Sequence, residues 1–255
     1  MNLQELLTEL RGNLLHDRSD LVAGESDQLW SDATLVRYIN EAQRRFARRS
    51  LVLRDGVTAD VTQVTLATGT TTYTLHEAVL AVISVKLVGD QGDMARAGHA
   101  TLGVVTRPDT LYFDPAQVGQ LPPGKPLVYS TDETLGEDAA GSLDSVVLRV
   151  YPAPTATYNG QKLQMRVARL PVEELSVLNP RSIPELPRDH HLEMLDWAAY
   201  LALRIMDVDA GWSSRAEDFK KSFEVYVKEA RDSMMRKVFT PLQWGFGRNG
   251  FTWER

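Results

Sequence analysis

Two glycine-containing stretches have spacings that proteins use to bind phosphate groups. Gly245, Gly247 and Gly250 match the dinucleotide-binding fingerprint by letter. That fingerprint works between a strand and a helix whose first turn receives the pyrophosphate, and too few residues follow Gly250 for such a helix. The stretch 119–125 (GQLPPGK) begins like a phosphate-binding loop, but Pro126 stands where that loop needs a hydroxyl for magnesium. We therefore expect a docking segment at the first stretch, a turn between strands at the second, and no cofactor.

Histidines and paired carboxylates are further residues that could do chemistry. His190 and His191 are adjacent and Glu193 is close by, but adjacent side chains on a helix point about 100° apart and cannot bind one ion together. We interpret them as polar residues of a first helical turn and expect no metal site. Three carboxylate pairs lie in polar stretches, at 132–133, 137–138 and 173–174. Solvated charge is their usual role, so we expect no catalytic residue. A carbohydrate-active enzyme that uses such a pair on the β insert remains an alternative.

Five arginines lie on one predicted helix, at Arg37, Arg44, Arg45, Arg48 and Arg49. They could form a solvated face, or pair with carboxylates of a neighbouring subunit, for which the planar guanidinium is well suited. They could also contact DNA phosphates, and a DNA-binding module is the second alternative function. The chain carries a net charge of −6, whereas a protein that wraps nucleic acid needs a basic footprint. Inter-subunit pairing is therefore the functional role that we favour for these arginines.

The segment 240–255 (TPLQWGFGRNGFTWER) has the composition of a docking tail. Pro241 predicts the end of the preceding helix, because proline removes a hydrogen-bond donor and clashes with the turn before it. Three glycines argue against regular structure in the rest of the segment. Its four aromatic side chains, each able to bury roughly 150–250 Å², are Trp244, Phe246, Phe251 and Trp253. We expect the tail to bind its own domain or a partner, with Trp244 and Trp253 as the favoured anchors.

The elements that carry these residues divide the chain into four segments. Apolar residues recur at helical spacing in residues 1–54 and again in 187–239. Residues 55–186 instead contain short runs rich in Thr and Val that turn residues separate. We therefore predict an α+β fold in which the N- and C-terminal helices form a bundle. The intervening segment forms an inserted antiparallel β-sandwich or barrel-like domain, and residues 240–255 form an extended tail.

Individual elements can be predicted from the same patterns. The predicted strands are 61–67, 70–75, 79–88, 110–114, 127–131, 145–151 and 162–169. Leu163, Met165 and Val167 alternate with polar residues, which is typical of a strand with one buried face. The predicted buried face of the second helix consists of Leu35, Ile39, Ala42 and Phe46. Ser214 and Glu217 form a capping box that predicts the start of the last helix.

Composition excludes several classes of protein. The chain has no cysteine, which excludes disulfides and thiolate chemistry. It contains no apolar run near the roughly 18–20 residues that a membrane-spanning helix needs. Its first residues are amphipathic and include Glu5 and Glu9, unlike a secretory signal. Acidic residues outnumber basic ones in the predicted β insert, so basic character is concentrated on the arginine-bearing helix.

Two stretches carry a resemblance to a known family. The stretch 30–49 (WSDATLVRYINEAQRRFARR) resembles the opening signature of the tailed-bacteriophage head-to-tail adaptor proteins. Leu186 and Pro187, followed by HHLEMLDWAAYLALR, are similar to the second signature of that family. The insert between them fits the same plan, and the resemblance extends over about residues 1–238. A proline often follows the Tyr-x-Leu pattern of the family, but His76 occupies that position here.

The resemblance implies a structural protein of the virion neck that is made in the host bacterial cytoplasm and is not an enzyme. Members of this family form a ring, usually dodecameric, beneath the portal protein. The helical core builds the ring, and a C-terminal extension commonly reaches the portal. The β domain faces outward or toward a tail nozzle or fibre protein, and DNA passes through the ring without sequence-specific binding. In this chain the matching extension is residues 240–255.

Overall fold

The structure is a computed structural model that describes most of the chain, with six gaps before the C-terminus. The described residues are 1–17, 29–90, 92–97, 110–111, 122–136, 145–204 and 210–249. Only the backbone is described at 97, 110–111, 132–136, 145, 210–213 and 236–249. By its internal contacts the chain divides into two compact units, a helical unit (Met1–Leu53 with Pro171–Arg255) and a β unit (Arg54–Leu170). The stretch 171–186, which we assigned to the β insert from its sequence, lies in the helical unit.

The described residues contain five α-helices and nine strands. The helices are α1 (Leu3–Glu9), α2 (Asp32–Ser50), α3 (Ala59–Thr62), α4 (Leu195–Arg204) and α5 (Ala210–Asn249). The strands are β1 (Arg54–Asp55), β2 (Gln63–Thr65), β3 (Thr72–Thr74), β4 (Val79–Leu87), β5 (Ala95–Ala97), β6 (Thr110–Leu111), β7 (Val128–Gly136), β8 (Ser145–Tyr151) and β9 (Lys162–Arg169). A π-helical turn, Leu10–Leu15, continues α1, and 3-10 turns span Ala156–Tyr158 and Arg188–His190. The predicted α+β composition is confirmed.

Local capping begins the first helices of the helical unit. Asn2 and Glu5 form a capping box at α1, in which the Asn2 side chain accepts a 2.9 Å hydrogen bond from the Glu5 amide. The Ser31 hydroxyl accepts a 3.2 Å bond from the Thr34 amide at the start of α2. The helix ends at Leu51, whose φ of 55° is left-handed. These interactions fix both ends of the arginine-bearing helix.

The core of the helical unit lies where α2, α4 and α5 meet. The predicted buried face of α2 is confirmed, since Leu35, Ile39, Ala42 and Phe46 are each 0% exposed. The rings of Phe46 and Phe223 lie 5.9 Å apart in an edge-to-face arrangement, which joins α2 to α5. Trp197 of α4 packs 5.1 Å from Phe223. The face of α5 that carries Phe223 is therefore directed toward the core.

The bounds predicted for the last helix are wrong. The helix α5 begins at Ala210, before the capping box at Ser214, and continues through Pro241 to Asn249. An interior proline costs a helix about 3 kcal/mol but does not forbid it, because its φ is fixed near the helical value and only one hydrogen bond is lost. Residues 240–249 are thus helical rather than extended, and 250–255 lie outside the described residues.

The β unit contains two sheets. In the first, β9 pairs antiparallel with β1, β2 and β4. The second has the order β3-β8-β7-β5-β6, in which β8 pairs antiparallel with β3 and β7. The expectation of a purely antiparallel domain is wrong at β5, which pairs parallel with both β6 and β7. The short helix α3 also precedes β2, where only strands were predicted.

One apolar cluster joins residues of both sheets. Leu163, Met165 and Val167 of β9 are each 0% exposed, which confirms the alternation read from the sequence. Leu148 and Val150 of β8 belong to the same cluster and are also fully buried. In the part of the chain that the structure describes, no helix is long and apolar enough to cross a membrane.

Candidate docking surfaces on the helical unit

Two of the five arginines on α2 form ion pairs inside the helical unit. The Nη2 atom of Arg44 lies 2.7 Å from a carboxylate oxygen of Glu174. Arg49 pairs with Glu224 of α5. All four side chains are more than one-third exposed, so each pair contributes at most about 1 kcal/mol. Both arginines are nevertheless neutralised locally, which reduces the cationic surface that α2 offers to DNA.

Arg45 stacks on an aromatic ring instead of facing solvent. Its guanidinium carbon lies 3.9 Å from the centroid of the Trp197 ring, well within the roughly 6 Å range of a cation–π interaction, for which tryptophan is the most favourable ring. The Nε atom of Arg45 and the indole nitrogen of Trp197 are both buried and make no hydrogen bond within the described residues. Arg37 lies 5.5 Å from the Tyr38 ring and is exposed, as is Arg48. The five predicted pairing residues therefore occupy three different environments.

A segment of the helical unit, which we call the strap (residues 171–186), is bound to α2 by side-chain amides. The Asn40 side chain donates to the Leu175 carbonyl and accepts from the Leu175 amide, each at 2.9 Å. Gln43, which is 1% exposed, accepts a 3.1 Å bond from the Glu185 amide. Because one half-buried side-chain amide satisfies both backbone groups of Leu175, it takes the place of a strand partner at this position.

The strap is also bound to α1 and to itself. The Leu3 amide donates to the Ser182 carbonyl at 2.8 Å, and the Gln4 amide donates to the Pro180 carbonyl at 2.9 Å. The Glu185 carboxylate accepts from the amides of Val172 and Glu173, both at 2.7 Å. The strap therefore has a defined path along α1 and α2, although it has no regular secondary structure.

A groove of about 360 Å³ runs between α2 and the strap. Its lining residues are Ala33, Val36, Arg37, Asn40, Glu41 and Arg44 of α2 and Glu174, Leu175, Ser176 and Val177 of the strap. The α2 residues recur every three or four positions from 33 to 44, so the groove follows the helix for about 16 Å, or three turns. Its arginines lie on the α2 side, and Glu174 lies on the strap side.

Several apolar side chains of the helical unit are exposed. Leu178 is 95% exposed, Ile183 is 55% exposed and Val177 is 43% exposed. Val172 and Leu192 are exposed by 44% and 54%. Single exposed apolar residues are ordinary, but Val177 lines the groove and Leu178 follows it in the strap, so apolar surface borders the groove there.

The face of α5 directed away from the core carries its own exposed stripe. Val225 is 53% exposed, whereas Phe223, Val227 and Ala230 are buried against the unit. At about 100° per residue, the outward side around Val225 includes Lys221, Lys228, Glu229 and Asp232, all of them exposed. We call these five residues the α5 stripe.

The adjacent histidines have unequal environments. His191 is 0% exposed, which corrects the expectation of a polar first-turn residue. Its Nδ1 atom accepts a 2.9 Å bond from the N-terminal ammonium of Met1, so its Nε2 carries the hydrogen and donates to the Leu186 carbonyl. Burial lowers the pKa of His191 from its usual value. His190 instead lies 2.5 Å from Glu193.

The remaining predicted residues give little chemistry in the described parts of the chain. Lys125, which ends the phosphate-loop-like stretch, forms a 2.8 Å ion pair with Asp90. No group of three or more potential metal ligands occurs among the described residues. The pair 137–138 lies outside the described residues, as do Phe251 and Trp253. Only the backbone is described for the pair 132–133 and for Trp244 and Phe246.

Sequence reasoning missed Asp196 on α4. Burial, and then the nearby charge of Glu193, raise the pKa of the Asp196 carboxyl to about 6. The apolar neighbours of Asp196 in the sequence gave a signal that this acid would be desolvated. The strap was also missed, because a proline-rich polar stretch does not reveal that it packs along a distant helix.

A helical unit with candidate docking surfaces, interrupted in the chain by a β unit, is the architecture that these observations describe. The family model described as SU10 adaptor protein matches residues 1–243. The chain therefore belongs to the SU10 adaptor protein family, a phage head-to-tail adaptor family. A search of curated proteins finds no match to the chain.

Proposed function

We propose that this protein is a structural head-to-tail adaptor that forms a ring between the portal and the tail of a phage, through which DNA passes. The family match over residues 1–243 is the observation that carries this proposal. Copies joined through two different surfaces close into a ring when the rotation between them permits. The ring would be dodecameric, as the resemblance to the adaptor proteins implies, and the protein would have no catalytic role.

The docking arm toward the portal is α5 with the residues that follow it. This helix has 40 residues and is about 60 Å long, whereas the ten residues of α4 span about 15 Å. Among the described side chains of α5, the last buried one is Ala230, and Arg231, Asp232, Ser233 and Met235 are exposed. The length of α5 and this loss of burial support an arm that extends beyond the packing of its own unit.

Aromatic anchors on this arm would supply the binding energy. We propose that Trp244, Phe246, Phe251 and Trp253 insert into pockets of the portal protein, because buried aromatic side chains dominate such interfaces. Since the backbone is helical to Asn249, the arm is a helix followed by a short segment. The predicted anchors therefore lie partly on a helix, which would lower the entropy lost on binding.

The arginines and the β unit have separate proposed roles. Arg37 and Arg48 are the candidates for pairing with a neighbouring subunit, because Arg44, Arg45 and Arg49 have partners in their own unit. We propose that the β unit is a sandwich that contacts a tail nozzle or fibre protein. Its excess of acidic residues would repel DNA rather than bind it, which suits passage through a channel.

Deletion of the tail tests the portal-docking role. The full chain and a variant ending at Phe239 are mixed with the portal protein, and binding is measured by co-sedimentation. A full-length variant with Trp244, Phe246, Phe251 and Trp253 changed to Ser serves as the matched comparison, because it keeps the length. We expect both variants to lose portal binding while circular dichroism shows an intact fold. Unchanged binding by either variant would contradict the assignment of these aromatic residues.

A further inference from the structure

The groove beside α2 has the dimensions of a helix-binding site. It follows α2 from Ala33 to Arg44, a length of about 16 Å that matches three turns of a second helix. Val36 and Leu175 lie in its lining and are 4% and 5% exposed. The Asn40 amide also lines the groove and already donates to and accepts from Leu175. Polar and charged residues make up the rest of the lining together with Val177. An amphipathic helix with a narrow apolar centre and charged flanks fits such a groove.

The α5 stripe has these properties. It extends from Lys221 to Asp232, eleven residues apart in the sequence and also about 16 Å long. Val225 lies at its centre and is 53% exposed. The α5 helix cannot place this stripe in the groove of its own chain, because the Phe223 ring faces Phe46 of α2 from the opposite side.

One charge of the groove is complementary to the stripe. At 100° per residue, Glu229 lies about 40° to one side of Val225 and Lys228 about 60° to the other. The groove has the exposed Arg37 on its α2 side, while Glu174 on its strap side is already paired with Arg44. One orientation of the helix brings Glu229 toward Arg37, and the reverse orientation brings Lys228 toward Arg37 and opposes like charges. Charge complementarity of this kind fixes register and excludes wrong partners.

We propose that the groove between α2 and the strap binds the α5 stripe of a second copy of this chain. The groove and the stripe are different surfaces, so each copy uses both and the contact repeats from head to tail. The exposed Val177 and Leu178 at the groove then cover the side of the incoming helix. This inference rests on the proposed ring and identifies the surfaces that would build it.

Cysteine cross-linking tests the contact directly, because the natural chain has no cysteine. Val177→Cys and Val225→Cys variants are mixed with portal protein and treated with a short bismaleimide, and assembly is followed by electron microscopy. We expect cross-linked dimers only in the mixture of the two variants, and a ladder of multimers from the double variant. Val57→Cys in place of Val225→Cys is the control, since Val57 is 89% exposed but lies in the β unit.

Charge reversal gives a second test. We expect Arg37→Glu to raise the concentration needed for ring formation at least tenfold, and Glu229→Arg to restore assembly in the double variant. Arg166→Glu is the matched control, because Arg166 is an exposed arginine of the β unit. Equal effects of the Arg37 and Arg166 variants would overturn the inference.

The outcomes separate this inference from the proposed function. If the Val177→Cys and Val225→Cys variants form rings but do not cross-link to each other, the groove contact is wrong and the adaptor role is unaffected. A cross-link from the groove to the portal protein instead of to a second copy also overturns it. The failure of the unmodified chain to form any ring with portal protein overturns both.

Discussion

Asn40 offers the sharpest test of how the helical unit holds the strap. Asn40→Ala removes two 2.9 Å hydrogen bonds to the backbone of Leu175, a residue that is 5% exposed. Each bond contributes about 1 kcal/mol, and the buried groups left unsatisfied add a further penalty of about 1 kcal/mol or more. We therefore expect the free energy of unfolding to fall by about 3 kcal/mol.

Two measurements check this value. Urea denaturation followed by circular dichroism gives the free energy of unfolding, and hydrogen exchange gives the protection of the Leu175 amide. If only the strap opens, exchange of that amide should accelerate about a hundredfold, since each 1.4 kcal/mol corresponds to tenfold. Asn179→Ala is the control, because Asn179 is an exposed asparagine of the same strap. A loss below about 0.5 kcal/mol with unchanged exchange would refute the account of the strap.

Two further predictions concern titratable groups of the helical unit. The lowered pKa of His191 means that the folded state disfavours the proton, so stability is full above pH 6.5 and falls as the pH drops below that value. His191→Gln should flatten this dependence in thermal melts between pH 7.5 and 5. The pKa of the Asp196 carboxyl is raised from 3.8 to about 6. Its effect on stability therefore has the opposite pH dependence, because the folded state disfavours ionisation of this carboxyl as the pH rises. Asp196→Asn should stabilise the protein at pH 7.5 by about 1 kcal/mol, allowing for partial exposure, with the gain vanishing below about pH 4.

Each of these two predictions has a control and a contradicting result. The control variant is His16→Gln, because His16 is exposed. Its melting temperature should fall between pH 7.5 and 5 as steeply as that of the unchanged protein. If the melting temperature of the His191→Gln variant falls with decreasing pH as much as that of the unchanged protein, His191 is not the cause of the pH dependence. Glu193→Gln should give a smaller gain than Asp196→Asn, because it removes only the secondary cause of the shift. A loss of stability in Asp196→Asn at pH 7.5 would contradict the desolvation argument.

Local patterns in the sequence predict much of the fold. The buried face of α2 follows from apolar residues at helical spacing, and the buried face of β9 follows from strict alternation. These features depend on neighbours within a few residues, so they can be read without knowledge of distant contacts.

The features that were missed or wrong depend on distant parts of the chain. Pro241 predicts a helix end locally, but the structure continues α5 past it, because one lost hydrogen bond is small against a helix of 40 residues. Asn40 contacts Leu175 across 135 positions of the sequence. His191 accepts a hydrogen bond from Met1, which lies 190 positions away in the sequence. No periodicity or motif encodes such pairings.

The candidate site was predicted in outline only. The sequence identified the arginines of α2 and the aromatic residues of the tail, but not which arginines would be neutralised. Glu174 and Glu224, the partners of Arg44 and Arg49, lie far away in sequence. The groove was also missed, since it exists only where the strap packs along α2.

Electron microscopy of the chain mixed with its portal protein tests the central claim most directly. Single-particle images should show a closed ring of this protein stacked coaxially on the portal, with an open channel and with α5 directed toward the portal. The count of copies around the ring can be read from the same images. A complex in which single copies decorate the portal without contacting one another would contradict the account, as would particles with no portal contact.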